Sequence, residues 1–319
     1  MISLGVQMDP IEGINIEGDT TFALMLEAQK RGHGIRVFQP EDVAFRNGDV
    51  LAHARAVQVQ DRKGAHFSVT HEGMIALSGQ DIVLIRQDPP FDMAYVANTF
   101  LLELLEPRVV MFNPPRAIRN FSEKLRALEL HRFMPDTYIG RRLEDIRGFS
   151  AAFDEVVVKP IFLGGGTSVI KSSPKSEDFI SSVEFVLRES GKEPIIVQRY
   201  IPEIMQGDKR VLVLDGKVAG VLRRVPAAGD FRANIHVGGS PQLDRLTGQE
   251  ERICDEVIKL LQAEGIIFAG IDLIFGHLNE VNVTSPTLIR EYARVSGTDL
   301  AVQIMDSLER RVRARADTP

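Results

Sequence analysis

The chain has 319 residues, 44% hydrophobic and 26% charged, enough for about two domains with cores of their own and unlike a disordered or fibrous chain. Its formal net charge of −6 argues against a nucleic-acid surface, so an anionic ligand has to be met by locally placed cations. No apolar run approaches the ~18 residues of a membrane span, and residues 1 to 9 carry no basic segment ahead of their apolar ones, so the expectation is a cytoplasmic protein without membrane partners.

Residues 1 to about 120 read as an open α/β unit, because short apolar runs alternate with helical patterns. Residues 2 to 8 form a strand. Asp19 or Thr20 can cap a helix that turns Phe22, Met25 and Leu26 to a core, and Gly32 ends it before a strand at 35 to 38. Residues 82 to 85 form a third strand, followed at once by Arg86-Gln87-Asp88-Pro89-Pro90-Phe91-Asp92. Ligands collect beyond the carboxyl ends of strands in open α/β sheets, which suits Arg86 to a substrate carboxylate. Pairing of Arg86 with Asp88 or Asp92 is the other reading. A fourth strand at 109 to 112 precedes Asn113-Pro114-Pro115, which breaks the chain before a helix carrying Asn120, Glu123 and Lys124. The first domain boundary is expected here. Neither G-x-G-x-x-G after the first strand nor G-x-x-x-x-G-K-[ST] occurs, so a nucleotide has to bind by another device.

The second segment offers one. Residues 155 to 160 read as a strand ending in Lys159-Pro160, with Gly164-Gly165-Gly166-Thr167-Ser168 leading to a second strand at 169 to 171. Glycine backbone can surround phosphate oxygens while Lys159 supplies a point charge. A hairpin loop without a ligand has the same composition. Gln198, Arg199, Tyr200 and Ile201 then run from a strand into a connection at Pro202, where unpaired backbone groups could read an adenine edge or serve an ordinary linker.

The third segment opens with Gly207-Asp208-Lys209-Arg210, a strand to 214, the turn Asp215-Gly216 and a return strand carrying Arg224. Residues 226 to 241 are rich in Gly and Ala yet carry Arg232, Asn234 and His236. A loop of this length is a lid over an anionic substrate or a surface excursion, with His236 a polar loop residue rather than a base. The single cysteine, Cys254, excludes an intrachain disulfide and falls in a helical pattern at 250 to 262 as buried packing. Residues 271 to 286 alternate like two strands about Gly276, which places Asp272 opposite Glu280 and points Glu280 and Asn282 the same way. Such carboxylates repel unless a proton or hard cation lies between them, and Mg²⁺ takes oxygen ligands. A hairpin whose polar face meets water is the alternative. The basic run at 310 to 315 is a solvated helix end.

Several blocks, taken in order, resemble the ATP-grasp superfamily and, more narrowly, the bacterial glutathione synthetase family. They are Met8-Asp9-Pro10 with Asn15-Ile16, residues 86 to 92, Asn120 with Glu123-Lys124-Leu125, and Lys159-Pro160 with Gly165-Gly166. Residues 207 to 213 and Asn282-Val283-Thr284-Ser285-Pro286-Thr287 continue the series. The resemblance implies an α/β protein of α+β lobes, the ATP-grasp fold behind an N-terminal open α/β domain, divided as 1–121, 122–200 and 201–319. It also implies ligation of γ-glutamylcysteine to glycine with release of ADP and phosphate, through an acyl phosphate, in a homotetramer; the alternatives are another ATP-grasp peptide or amino-acid ligase and a catalytically silent nucleotide-binding regulatory protein. By that analogy Lys124, Lys159, Gly164, Gly165, Gly166 and Asp208 hold ATP, Gln198, Arg199, Tyr200 and Ile201 read its adenine, and Asp272, Glu280 and Asn282 carry Mg²⁺ or Mn²⁺. Arg86, Arg210, Arg224, Arg232, Asn234 and Ser285 would hold the peptide, and Arg210 and Lys159 its developing charge. The pattern departs from the family at Phe162-Leu163-Gly164, where the loop tip is more apolar, at Pro114 in place of a lysine, and at Arg199 in place of a small polar residue.

Overall fold

The computed structural model describes residues 1–162, 168–227, 229–233, 235 and 238–316. Gly164, Gly165 and Gly166 of the expected phosphate cradle, and Asn234 and His236 of the expected lid, lie outside them.

The first sheet has seven strands: β1 (Ser3–Gln7), β2 (Gly34–Phe38), β3 (Val43–Arg46), β4 (Asp49–Val59), β5 (Phe67–Ala76), β6 (Ile82–Ile85) and β7 (Val110–Phe112). Their order is β3-β4-β2-β1-β6-β7, with β5 against β4. β2, β1, β6 and β7 run parallel. Helix α1 (Thr20–Lys30) starts where Asp19 accepts the Phe22 N–H at 2.6 Å. Its Phe22, Leu24 and Met25 expose no surface, each burial contributing about 1.5–3 kcal/mol. Asp92 likewise caps α2 (Met93–Glu103), accepting from Tyr95 N–H at 2.9 Å. Strands β3, β4 and β5 were not anticipated from sequence. β5 is exposed at most positions, so one of its faces buries too little to impose an apolar alternation.

Helix α3 (Pro115–Asn120) stops at Asn120, so Glu123 and Lys124 do not ride on it as expected. Phe121 leaves the helical region at ψ 75°, and Glu123 turns to the end of the last strand, where its Oε1 accepts from the Thr284 hydroxyl at 2.6 Å.

The second sheet is antiparallel, in the order β10-β9-β11-β8, built from β8 (Thr137–Gly140), β9 (Val156–Pro160), β10 (Ile170–Ser172) and β11 (Ile195–Arg199). Helices α4 (Leu143–Ser150) and α5 (Phe179–Glu189) cover one face, where Ile146, Phe179 and Val183 meet Val156, Val158, Ile195 and Val197. Alternation therefore turns Lys159 and Gln198 to the other face.

The third sheet runs β14-β13-β12-β15-β16, from β12 (Asp208–Leu214), β13 (Lys217–Val225), β14 (Ser240–Leu243), β15 (Phe268–Ile274) and β16 (His277–Asn282). Helix α6 (Gly248–Ala263) begins in a Thr247/Glu250 capping box and packs Ile253, Val257 and Leu261 on Val211, Val213, Ile271 and Leu273. The opposite face is divided. Leu212, Leu214 and Phe268 join the core of the first sheet, together with Ile304, Met305 and Leu308 of α8 (Leu300–Ala316). Arg31, at the C-cap of α1, holds α8 through Asp306 at 2.7 Å and Glu309 at 3.0 Å. Arg210 and Asp208 occupy the other end of that face, beyond the apolar seal.

Among the described residues, no helix is long and apolar enough to cross a membrane. Cys254 is buried, and burial pushes its thiol up to about 12, which removes it as a nucleophile at neutral pH.

Candidate active site

A cleft of about 540 Å³ opens between the second and third sheets, with Asp88 and Pro89 of the first lobe on its rim. Its acidic wall is the β15–β16 hairpin. Phe275 (φ 45°) and Gly276 (φ 77°) make a two-residue turn with both central residues left-handed, the geometry that matches strand twist and favours glycine. The resulting register pairs Asp272 with Glu280 and Gly270 with Asn282. Asp272, Glu280 and Asn282 all line the cleft.

Asp272 does not stand alone against Glu280. Arg210, its neighbour in register on β12, donates Nε to Oδ1 at 2.5 Å and Nη2 to Oδ2 at 2.9 Å. A Cβ at Gly270 would lie 3.0 Å from Arg210 Cδ, so glycine there leaves the guanidinium its path along β15. Arg224, opposite Asp208 in the β12–β13 register, clamps Asp208 with Nε at 2.8 Å and reaches Asp272 Oδ2 at 2.9 Å. The result is a buried chain Arg210–Asp272–Arg224–Asp208. Burial alone would raise the Asp272 pKa, but the two guanidinium groups hold it well below the usual carboxylate range.

This arrangement revises two expectations. Arg210 and Arg224 line the cleft, yet their strongest partners are the two aspartates rather than open space facing a substrate. Arg86 is 3% exposed and is not on the cleft wall. It pairs with neither Asp88 nor Asp92. It donates Nε to Thr21 Oγ1 at 3.0 Å and Nη2 to the Pro286 carbonyl at 2.9 Å, tying α1 to the turn that carries Ser285.

The cationic wall comes from the opposite side. Lys159 Nζ donates to Asn279 Oδ1 at 2.8 Å, bridging the second and third sheets. Burial pushes its pKa down to about 8, with Glu280 opposing the shift. Lys124 Nζ donates to the Ile161 carbonyl at 2.9 Å and lies 4.0 Å from Glu280 Oε2. Burial, and next the charge of Glu280, push the Glu123 carboxyl above its usual range. Asn279 escapes sequence reading because a lone asparagine on a strand carries no signal. Asn113 is another: its amide accepts from the Ile267 and Phe268 N–H groups and donates to the Phe268 and Val283 carbonyls, joining β7 to the hairpin.

Gln198, Arg199, Tyr200 and Ile201 line the far end. The expected row of open backbone donors is shorter than anticipated, since Arg199 N–H is taken by the Asp136 carbonyl (2.9 Å) and Tyr200 N–H by that of Glu155 (3.1 Å). Gln198 donates its side chain to Thr137 Oγ1 at 2.9 Å. Arg232 lines the cleft and pairs with Asp230 at 2.7 Å, while the neighbouring Phe231 sets its ring edge-on to Tyr200, 6.3 Å between centroids. Ser285 also lines the cleft, its hydroxyl donating to the Arg86 carbonyl at 3.4 Å.

The donor set suits a hard cation. Asp272 and Glu280 supply carboxylates, Asn282 commits Nδ2 to Gly270 O and Asp272 Oδ2, each at 3.4 Å, and a cation would relieve the repulsion that Glu280 imposes on Glu123. Among the described residues no three His, Cys, Asp or Glu side chains form a cage by themselves.

Comparison with known proteins covers nearly the whole chain. Residues 2–119 match the family model described as prokaryotic glutathione synthetase, N-terminal domain, and residues 123–297 match prokaryotic glutathione synthetase, ATP-grasp domain. A glutathione synthetase of Bradyrhizobium diazoefficiens is 42% identical over 310 residues, covering 97% of this chain and 98% of that protein. One of Vibrio vulnificus is 36% identical over 318 residues, covering 99% and 100%. Among solved structures, D-cycloserine synthetase DcsG superposes with a TM-score of 0.68 at 16% identity, covering 97% of this chain and 99% of that one, a likeness of fold.

Proposed function

The chain belongs to the prokaryotic glutathione synthetase family and has the ATP-grasp fold, and from that premise we propose that it joins γ-glutamylcysteine to glycine at the expense of ATP. The observation that carries this reading is the meeting of Lys124 and Lys159 with Asp272, Glu280 and Asn282 across one cleft.

A carboxylate does not condense with an amine at neutral pH, because its oxygen is a poor leaving group. Transfer of the γ-phosphoryl group from ATP to the terminal carboxylate of γ-glutamylcysteine makes an acyl phosphate and releases ADP. The glycine amine then attacks the acyl carbon, the C–O bond to phosphate breaks, and the amine loses a proton as the peptide bond forms. No protein nucleophile is needed. What the chain must supply is position and neutralisation of charge.

Lys124 and Lys159 would do this for the phosphates, with the glycine-rich segment between β9 and β10. Asp272, Glu280 and Asn282 would hold Mg²⁺ or Mn²⁺, which when bound neutralises phosphate oxygens and polarises the transferred group. Arg210 and Arg224 would keep Asp272 ionised and aimed, and Arg210 would meet developing charge. Gln198, Tyr200 and Ile201 would frame the adenine, and Arg232, Ser285 and the loop at 226 to 241 would face the peptide and exclude water from the activated acid. We take the lobes to divide near residues 121 and 200, and the enzyme to work as a cytoplasmic homo-oligomer.

Phosphate release measured with ATP, Mg²⁺ and γ-glutamylcysteine, with and without glycine, tests the reading. Release is expected only when both acceptor and donor are present. Release with a different carboxylate and amine, and none with this pair, would replace the substrate assignment.

Lys159 makes the nucleotide site sensitive to pH. In the unliganded protein it loses its proton near pH 8, so phosphates meet an ammonium below that value and a neutral amine above it. Nucleotide affinity should be level below pH 8 and weaken by about tenfold per unit above it, as one linked proton requires. Lys159→Arg should remove that bend, since a guanidinium stays charged. An equal bend in the arginine variant, measured by calorimetry, would assign the proton to another group.

A further inference from the structure

Phe162 stands two residues past β9, just ahead of the glycine-rich segment. Its ring lies 6.3 Å from that of Phe91, with 29° between the planes. Phe91 belongs to the first lobe and rests in turn on Tyr95, 4.9 Å away and itself buried. The seam behind the pair is tight: a cavity of about 20 Å³, walled by Ile118, Phe121 and Ile161, has room for no more than about one water. One residue earlier, Lys124 holds the Ile161 carbonyl at 2.9 Å. Ile161 and Phe162, which lead into the glycine-rich segment, are thus fastened twice, once by a hydrogen bond within the cleft and once by an aromatic contact to another lobe. Phosphate recognition calls for backbone N–H groups and cations, neither of which a phenyl ring provides. What the ring provides is location.

We propose that Phe162 and Phe91 are positioning residues, a ring pair that pins the start of the glycine-rich segment to the first lobe and so keeps the phosphates aligned with the acid to be activated. The proposal rests on the ligase reading for its kinetic consequence and on the ring contact for its structural one. Aromatic pairs contribute beyond simple burial, and removing either partner forfeits the same contact.

Phe91→Ala and Phe162→Ala should each lower kcat about 2- to 10-fold, and the double variant should fall no further than the weaker single. Phe162→Leu, which keeps apolar bulk, should recover most of the loss, and ADP affinity should stay within about twofold because ADP lacks the group being aligned. Losses that multiply in the double variant, or an unchanged kcat in Phe162→Ala, would overturn the pair. Hydrogen exchange reads the same contact without catalysis. Phe91→Ala should speed exchange at Ile161 and Phe162, far away in sequence, and equal exchange would overturn the pairing. If the unaltered protein released no phosphate with its proposed substrates, the ligase reading would fall while exchange still decided the ring pair.

Discussion

Glu280→Gln should lower kcat by about 10²- to 10³-fold and raise the concentration of Mg²⁺ needed for half-maximal rate. The substitution keeps the shape of the side chain and removes its charge. Glu280 is the hairpin acid with no bidentate arginine: Asp272 gives both oxygens to Arg210, whereas the nearest cation to Glu280 is Lys124 at 4.0 Å. It is therefore the carboxylate best able to turn to a metal ion. The same change also removes the charge that helps to raise the Glu123 carboxyl, so Glu123 should titrate lower in the variant. Phosphate release measured across a Mg²⁺ series gives both numbers. A rate and a metal requirement equal to those of the parent protein would take Glu280 out of the metal site.

Arg224→Ala should cost about 3–5 kcal/mol of stability, read as a lowered urea midpoint, because it leaves buried acids without their counter-charge. Arg224 is 3% exposed and touches both Asp208 and Asp272, so its removal strands Asp208 and leaves Asp272 with Arg210 alone. Pairing the loss with Asp208→Asn should restore much of the midpoint, since the stranded charge goes too. Activity should not return with it, because Asp272 would still lack one of the two groups that aim it. Recovery of both together would mean that the ion chain serves only folding. No change in midpoint for Arg224→Ala would mean that water screens Asp208 well enough to make the clamp dispensable.

Much of the fold was legible residue by residue. Asp19 capping α1, Asp215-Gly216 and Phe275-Gly276 turning two hairpins, and Cys254 inside α6 follow from short-range rules that need no partner. The helix expected to carry Glu123 and Lys124 fails for a long-range reason: Glu123 finds Thr284, 161 residues away, and the chain turns to let it. β3 and β5 fail because they are exposed at most positions and leave no apolar alternation to read, whereas β4 buries Val50, Leu51, Ala52, Ala54, Val57 and Val59, an apolar pattern that the reading of the sequence passed over.

Alternation and turn chemistry alone determined that Asp272 faces Glu280 and that Lys159 leads into a glycine-rich segment, since strand period and turn type are properties of neighbouring residues. Only the tertiary structure decided which charges meet. Arg210 and Arg224 close on aspartates, Arg86 turns inward to Pro286, and α8 returns to α1. Those partners sit on separate elements brought together by packing of apolar faces, and the pairing of one distant element with another leaves no period in the chain for a reader to find.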